Sequence, residues 1–371
     1  MTDTVSSSQA AAHEAAKYSD LELEPFFESS DSEDGEGVRR PARGAVPTRA
    51  VDEAVTEEEI AADLAKIEFA LEQQPYRKCS SRQLRQKVQT SPVWADFDTR
   101  RFDSVRVAAQ DDIDILQPAL LSGLLEQWPA RRKWTKEGLL KHYASLPVVA
   151  TRLIAAANMG KSNPVTVKLA SYFRYCEQTD ADFPLYVFDH NLPSSELGQD
   201  YSPPPIRLFD TNLFDPERYP ASFPRDSFGY FSKTEWAIIG PKISGSPIHQ
   251  DPLYTSAWNS LLLGCKHWAV FPPHVPLERL RKRPDWEPPL VWFIEELPKL
   301  RQDPEVGLIE ITQKAGDTVF LPEGWWHAVL NLDEINVAVT HNAVIALDPI
   351  YERLTKTHPE FCEAYKNFAS L

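Results

Sequence analysis

Between about residues 230 and 348, apolar and polar positions alternate in short runs. These are "EWAIIGP", "SAWNSLLLG", "KHWAVFPP", "GLIEITQ", "DTVFLP", "WWHAVLNL" and "INVAVTHNAV". They are rich in β-branched and aromatic residues and are broken by Pro, Gly or Asp. Strands this short and closely spaced predict a mainly β jelly roll or barrel. The segment 274–306 interrupts them with a charged, Pro-rich insert containing "VWFIEELPKL".

Upstream the period changes. Ile60, Leu64, Ile67 and Leu71 recur at helical intervals, and Thr56 and Glu59 have capping-box spacing. "TKEGLLKHYASL" predicts a second helix capped by Thr135, and "VKLASYFRYCEQT" a third. "FPLYVFD" (183–189) predicts a short strand. "SPVWADFDTRRFDSVRVAA" and "LLSGLLEQWPARRKW" read as strands and turns. No internal repeat is visible. The layout expected is a disordered acidic tail over 1–55, an α+β portion over 56–229 packed on the barrel, the barrel over 230–348, and short helical pieces over 349–371.

Charge sharpens this division. The net charge is −15, and residues 1–60 hold 15 acidic against 5 basic side chains. The tail "ESSDSEDGEGVRRPARGAVP" cannot bury enough surface to order itself. A chain this acidic has no general attraction for nucleic acid, and a basic protein segment is the better-matched partner. Cys79, Cys176, Cys265 and Cys362 lie far apart, which argues against a zinc ribbon or a disulfide framework. A reducing compartment, nucleus and/or cytoplasm, is expected. No apolar run approaches the roughly 20 residues needed to cross a membrane, so no membrane association is expected. The N-terminus lacks the pattern of a signal peptide.

The candidate chemistry sits in "SPIHQDPLYTSAWNSLL", from Ser246 to Leu262. A lone His-x-Asp proves nothing. On a strand, however, residues two apart face the same way, so His249 and Asp251 can reach one metal. His327, at the start of a later strand, is the candidate third ligand. Two His and one carboxylate on one face of a β-barrel is the pattern that holds non-haem iron(II) with open positions. If 2-oxoglutarate fills two of them, its distal carboxylate needs a cation in an apolar interior. Lys266, fifteen residues beyond Asp251, is placed for that role, and His267 should face the opposite side.

"HQDPLYTSAWN" and "PEGWWHAVLNLD" together resemble the JmjC-domain 2-oxoglutarate oxygenases. The likeness is greatest to the Jumonji branch of bifunctional arginine demethylases and lysyl hydroxylases, over about residues 75–350. It implies a double-stranded β-helix (jelly-roll, cupin-like) and an enzyme using iron, Fe(2+), 2-oxoglutarate and O2. His249, Asp251 and His327 would then be the iron ligands, and Lys266 the partner of the distal carboxylate. Asn259, Tyr186, Ser246 and Thr340 match positions lining the co-substrate pocket, and Trp326 would wall the site. The implied reaction is hydroxylation of a protein side chain, lysine preferred, or demethylation of N-methyl Arg or Lys as in histones. Relatives often dimerise through C-terminal helices, so a homodimer is compatible with the resemblance. Tyr254 stands where the branch has a small residue and would reshape the substrate mouth. Three other readings stay open: an oxygenase on a modified RNA base or small molecule, a catalytically idle scaffold, and a metalloenzyme without 2-oxoglutarate.

Overall fold

The computed structural model describes residues 55–72, 114, 116–152, 164–202, 235–251, 255–282 and 288–343. The acidic tail, the strands expected in 91–109, Tyr254 and the helical pieces expected after Pro349 lie outside the described residues. Among the described residues, no helix is long and apolar enough to cross a membrane.

Twelve strands are described: β1 (Ala119–Ser122), β2 (Pro147–Thr151), β3 (Val165–Lys168), β4 (Tyr186–Asp189), β5 (Glu235–Gly240), β6 (Gly245–His249), β7 (Ser256–Leu263), β8 (Cys265–Phe271), β9 (Ile309–Lys314), β10 (Asp317–Leu321), β11 (Trp326–Asn331) and β12 (Asn336–Ala343). They form two sheets, ordered β1-β10-β7-β12-β5-β4-β2-β3 and β6-β11-β8-β9. Every pairing is antiparallel. The result is a jelly roll of two facing sheets.

The helices are α1 (Glu57–Glu72), α2 (Ala130–Lys133), α3 (Lys136–Tyr143), α4 (Leu169–Gln178), α5 (Leu277–Leu280), α6 (Pro289–Glu295) and α7 (Leu297–Leu300). α1 begins with the expected capping box: Glu59 N donates to Thr56 Oγ1 at 3.2 Å, and Thr56 N to Glu59 Oε2 at 2.9 Å. Thr135 caps α3 by accepting from Gly138 N at 3.0 Å.

Strand alternation sorts the side chains. Trp258, Leu262, Val337, Val339, Ala237 and Ile239 leave the large sheet on its outer face and join Ile67, Tyr172 and Phe173 in one core. Their neighbours Leu261, Ala338, Trp236 and Ile238 face the interior with Tyr186. On the small sheet, Trp268, Val270, Val329 and Ile311 turn inward to meet Val319, Leu321 and Trp325. Ala269, Phe271, Ala328 and Leu330 turn outward onto Leu290, Phe293 and Leu297 of the insert. The insert is therefore a helical cover that shields the outer face of the small sheet.

Three local expectations need correction. β2 and β3 were not anticipated; they pair with each other, and β2 joins β4. The third helix starts later than its apolar period suggests, because the β-branched run Val165–Val167 stays extended. Its cap comes from another helix: Asp63 of α1 accepts from Lys168 N at 3.0 Å and from Ser171 Oγ at 2.9 Å. The stretch "LLSGLLEQWPARRKW" is not all strand and turn, since Pro129 precedes α2 with φ already at −52°.

Asp200 fastens α2 and α3 to the jelly roll. It is 2% exposed and accepts from Lys133 Nζ at 2.5 Å, Trp134 Nε1 at 3.1 Å and Tyr143 Oη at 2.5 Å. Asp200→Ala strands the buried indole and phenol donors without an acceptor. It is expected to cost about 3 kcal/mol, read as a lower urea midpoint at unchanged m. A change under about 0.5 kcal/mol shows that the carboxylate fastens nothing.

Candidate metal centre

β6 and β11 place His249 directly opposite His327. Two residues further on, Val329 opposes Ser246, so the register slips by one residue between the two pairs. A regular strand would send Ser246 and His249 to opposite faces. The bulge brings both to the interior. Pro247 sits inside it, as suits a bulge on an edge strand. β6 ends at His249; its register would set Gln250 opposite Trp326, and the ladder stops one residue short of that pair. Asp251 therefore lies past the strand, in its continuation, rather than on the strand as the spacing predicts.

The three side chains still converge. Asp251 Oδ1 lies 3.9 Å from His249 Nε2 and 3.8 Å from His327 Nε2. The two imidazole centroids are 4.1 Å apart. One ligand atom from each residue falls within 4.8 Å of the others, the grouping with metal-binding character among the described residues. His249 Nδ1 contacts the carbonyl of Pro247 at 2.7 Å, and His327 Nδ1 that of Trp325 at 3.2 Å. A carbonyl only accepts, so both protons sit on Nδ1 and both Nε2 lone pairs are free for a metal.

Electrostatics agree with that state. Burial pulls His249 down to about 4, with His327 adding to the shift. Burial likewise pulls His327 down to about 4. Both are neutral at physiological pH. Burial raises the Asp251 carboxyl, while His249 and a hydrogen bond from Asn342 oppose the rise. Asn342 Nδ2 also donates to Thr255 Oγ1 at 2.9 Å, which fixes its orientation. Two neutral imidazoles and a carboxylate fit a divalent first-row metal.

Deeper in the same interior lies Lys266, 1% exposed, on β8 between Asn331 of β11 and Gln313 of β9. No hydrogen bond or ion pair to it is found among the described residues, and burial alone pulls its ammonium down to about 7. Two nearby acceptors, Asn259 Oδ1 and Asn331 Oδ1, are also buried without a partner. Tyr186 is buried on the facing sheet. Ser246 is half-buried beside the bulge. Thr340 pairs with Asn259 across β12 and β7, but its hydroxyl donates to the Trp258 carbonyl at 2.9 Å. His267 faces away, as its parity predicts, and meets Glu310 at 2.9 Å.

Trp326 does not wall the site. It follows the parity of Ala328 and Leu330 and packs on the outer cluster. Trp268, with its ring 6.0 Å from that of His327, takes the place expected of it. Sequence reasoning missed Asn342, Asn331 and Trp268. Counting by twos from Thr340, His327 and Lys266 would have found all three.

A family model described as a cupin-like domain matches residues 110–342. The chain is 35% identical over 239 residues to the bifunctional arginine demethylase and lysyl-hydroxylase psr-1 of Caenorhabditis briggsae, covering 61% of this chain and 55% of that one. It is 33% identical over 276 residues to the lysine-specific demethylase JMJ21 of Arabidopsis thaliana, 70% of this chain and 27% of that one. It is 34% identical over 236 residues to the arginine-specific demethylase JMJ22 of the same plant, 61% of this chain and 41% of that one. The chain thus spans about half, or less, of the length of these relatives.

Because both imidazoles stay neutral well below pH 6.5, protons should compete weakly for the metal. Mn(II) affinity is expected to fall by less than about tenfold between pH 7.5 and 5.5, against roughly 100-fold for two ordinary histidines. Burial makes the Asp251 carboxyl easier to protonate than an ordinary aspartate, so it adds to the acid loss that remains. A calorimetric series that tracks the ordinary-histidine slope refutes this. Asn342→Ala should weaken Mn(II) binding by about 10–100-fold by freeing Asp251.

Proposed function

The chain belongs to the cupin-like family, and from that premise we propose that it is an iron(II)- and 2-oxoglutarate-dependent oxygenase acting on a protein side chain. The observation that carries this reading is Lys266, a buried cation with no partner among the described residues, in the same interior as the His249–Asp251–His327 cluster. An unpaired buried ammonium is costly unless an anion arrives to meet it. Lys266 lies across from Asn331, four residues along β11 from His327. At the usual strand rise that is about 13 Å, a span that a lysine arm and a short dicarboxylate can share.

In this reading His249 and His327 would hold the iron through Nε2, and Asp251 through its carboxylate. Lys266 neutralises the distal carboxylate of 2-oxoglutarate. Tyr186, Asn259, Ser246 and Thr340 border the same space. Trp268, Val270, Val319 and Leu321 form an apolar wall that keeps water from the reacting end. The bound metal, with 2-oxoglutarate and O2, supplies the oxidising power that converts a C–H bond into C–OH, leaving succinate and CO2. The protein's part is to bind, orient and dry the site.

Lysine hydroxylation is the preferred reaction. At an unactivated carbon the product is an alcohol. At an N-methyl carbon the hydroxylated product collapses to formaldehyde and a demethylated amine, so one site serves both. A net charge of −15 suits basic protein targets. The names of the relatives above, which speak of lysine and arginine, point the same way.

Purified protein with iron(II), ascorbate, 2-oxoglutarate and O2 is expected to form succinate faster when Lys/Arg-rich peptides are added. A peptide mass gain of one oxygen marks hydroxylation, and loss of a methylene from methylated peptide marks demethylation. No succinate under any condition, or unchanged turnover in His249→Ala, sinks the reading. Lys266→Ala is expected to raise the 2-oxoglutarate KM by about tenfold or more with metal affinity unchanged. Equal loss of both would instead indicate a folding defect.

A further inference from the structure

The cluster is assembled from two arms of chain, and the two are held unequally. His327 is paired on both sides, with His249 of β6 and with Val270 of β8. β6 has β11 as its single neighbour, and no ladder pair reaches Gln250 or Asp251. Extending the register would set Asp251 opposite Trp325. The backbone of Trp325 is engaged elsewhere. Its N–H donates to the Pro322 carbonyl at 3.4 Å, and its carbonyl accepts from His327 Nδ1 at 3.2 Å. The peptide group that fixes the tautomer of His327 therefore takes no part in the pairing that would fix Asp251.

A side chain takes over. Gln250, the spacer between His249 and Asp251, is half-buried, and its Nε2 donates to the carbonyl of Gly324. A carbonyl can only accept, which settles the amide: its NH2 faces Gly324. Gly324 is buried in the turn 322–325 and has φ of 71°. The positive φ at the third position, with the bond from Trp325 N back to Pro322, makes this a type II turn. Such a position suits glycine, because a Cβ there is strained. The turn is closed on itself, so its carbonyls are aimed. That of Gly324 holds the arm that carries Asp251, and that of Trp325 holds the His327 ring. One turn thus serves both arms of the cluster.

We infer that Gln250 is a positioning residue: its hydrogen bond to Gly324 stands in for the missing ladder and holds Asp251 in reach of the metal that the two histidines share. The inference rests on the metal reading of the His249–Asp251–His327 cluster. Gln250 acts through the backbone of its neighbour and need not touch the metal. Its removal leaves both imidazoles with their own carbonyl partners, Pro247 and Trp325.

The test is calorimetry of metal binding to the whole chain. Gln250→Met keeps the length of the side chain and removes the donor. It is expected to weaken Mn(II) about tenfold, the scale of a partner that orients a metal ligand. The absorption bands of the Co(II)-loaded protein, which report ligand geometry, should shift. Ni(II) binds imidazole more tightly than Mn(II) does and can be followed without the carboxylate. With Ni(II), Gln250→Met should lose about tenfold in the parent but less than about twofold in Asp251→Ala, where the group it positions is gone. Three results overturn the inference while the metal reading stands. These are a Mn(II) affinity within about twofold of the parent, unshifted Co(II) bands, or a Ni(II) loss that persists undiminished in Asp251→Ala. The last would place the effect on His327 or on the fold at large. If the parent binds neither Mn(II) nor Ni(II), the metal reading itself falls and the inference with it.

Discussion

The bulged pairing of β6 with β11 is the constraint on which the rest depends. Without the one-residue slip, Ile248 would stand opposite His327, and His249 would point to the outer face. With it, two imidazoles on adjacent strands share one centre, and the chain beyond His249 is free to bring Asp251 round to them. β6 can carry the irregularity because it is an edge strand with a single neighbour. The bulge also serves the ligands directly: the Pro247 carbonyl inside it fixes the proton on His249 Nδ1.

The polar interior makes sense only alongside the apolar cores around it. Lys266, Asn259 and Asn331 are buried groups with unmet hydrogen-bonding capacity. Each costs stability in the unliganded protein. Gln313, on the other side of Lys266, is fully engaged: it accepts from Trp268 Nε1 at 2.9 Å and donates to the Asn259 carbonyl at 2.7 Å. Asn259 Oδ1 and Asn331 Oδ1 lie in the interior that holds Lys266, while other unpaired buried atoms, such as Thr312 Oγ1 and Trp326 Nε1, lie elsewhere. Two large apolar clusters, one under α1 and α4 and one under the insert, offset them.

How much of this was legible in the sequence follows from which signals are periodic. The strands from Glu235 to Ala343 announced themselves because alternation and turn residues coincide. Parity also separated Lys266 from His267 correctly. The same rule, applied to Trp326, would have sent it away from His327; its place beside a ligand in sequence misled. The bulge has no periodic signature, so the position of Asp251 off the strand was not readable, although Pro247 is a hint in retrospect. The cap that Asp63 supplies to α4 is a contact over 105 residues between backbone and side chain, and no local pattern reports it.

The two sheets divide the work between them. The small sheet holds His249, His327, Lys266 and Asn331, whose spacing is fixed by ladder registers. Its outer face is pinned by the insert through the buried His267–Glu310–Arg301 network, in which Arg301 reaches Glu310 by two hydrogen bonds at 2.7 and 2.8 Å. Hydrogen bonds from His267 and Arg301, with the charge of Arg301, hold the Glu310 carboxyl below its ordinary value despite its burial. The large sheet contributes Tyr186, Asn259, Thr340 and Asn342, none of which belongs to the His–Asp–His cluster, and each of which borders or orients what the small sheet holds. The two histidines are set by ladder registers on one wall, and Thr340 and Asn342 on the other are held by their own hydrogen bonds to Trp258 and Thr255.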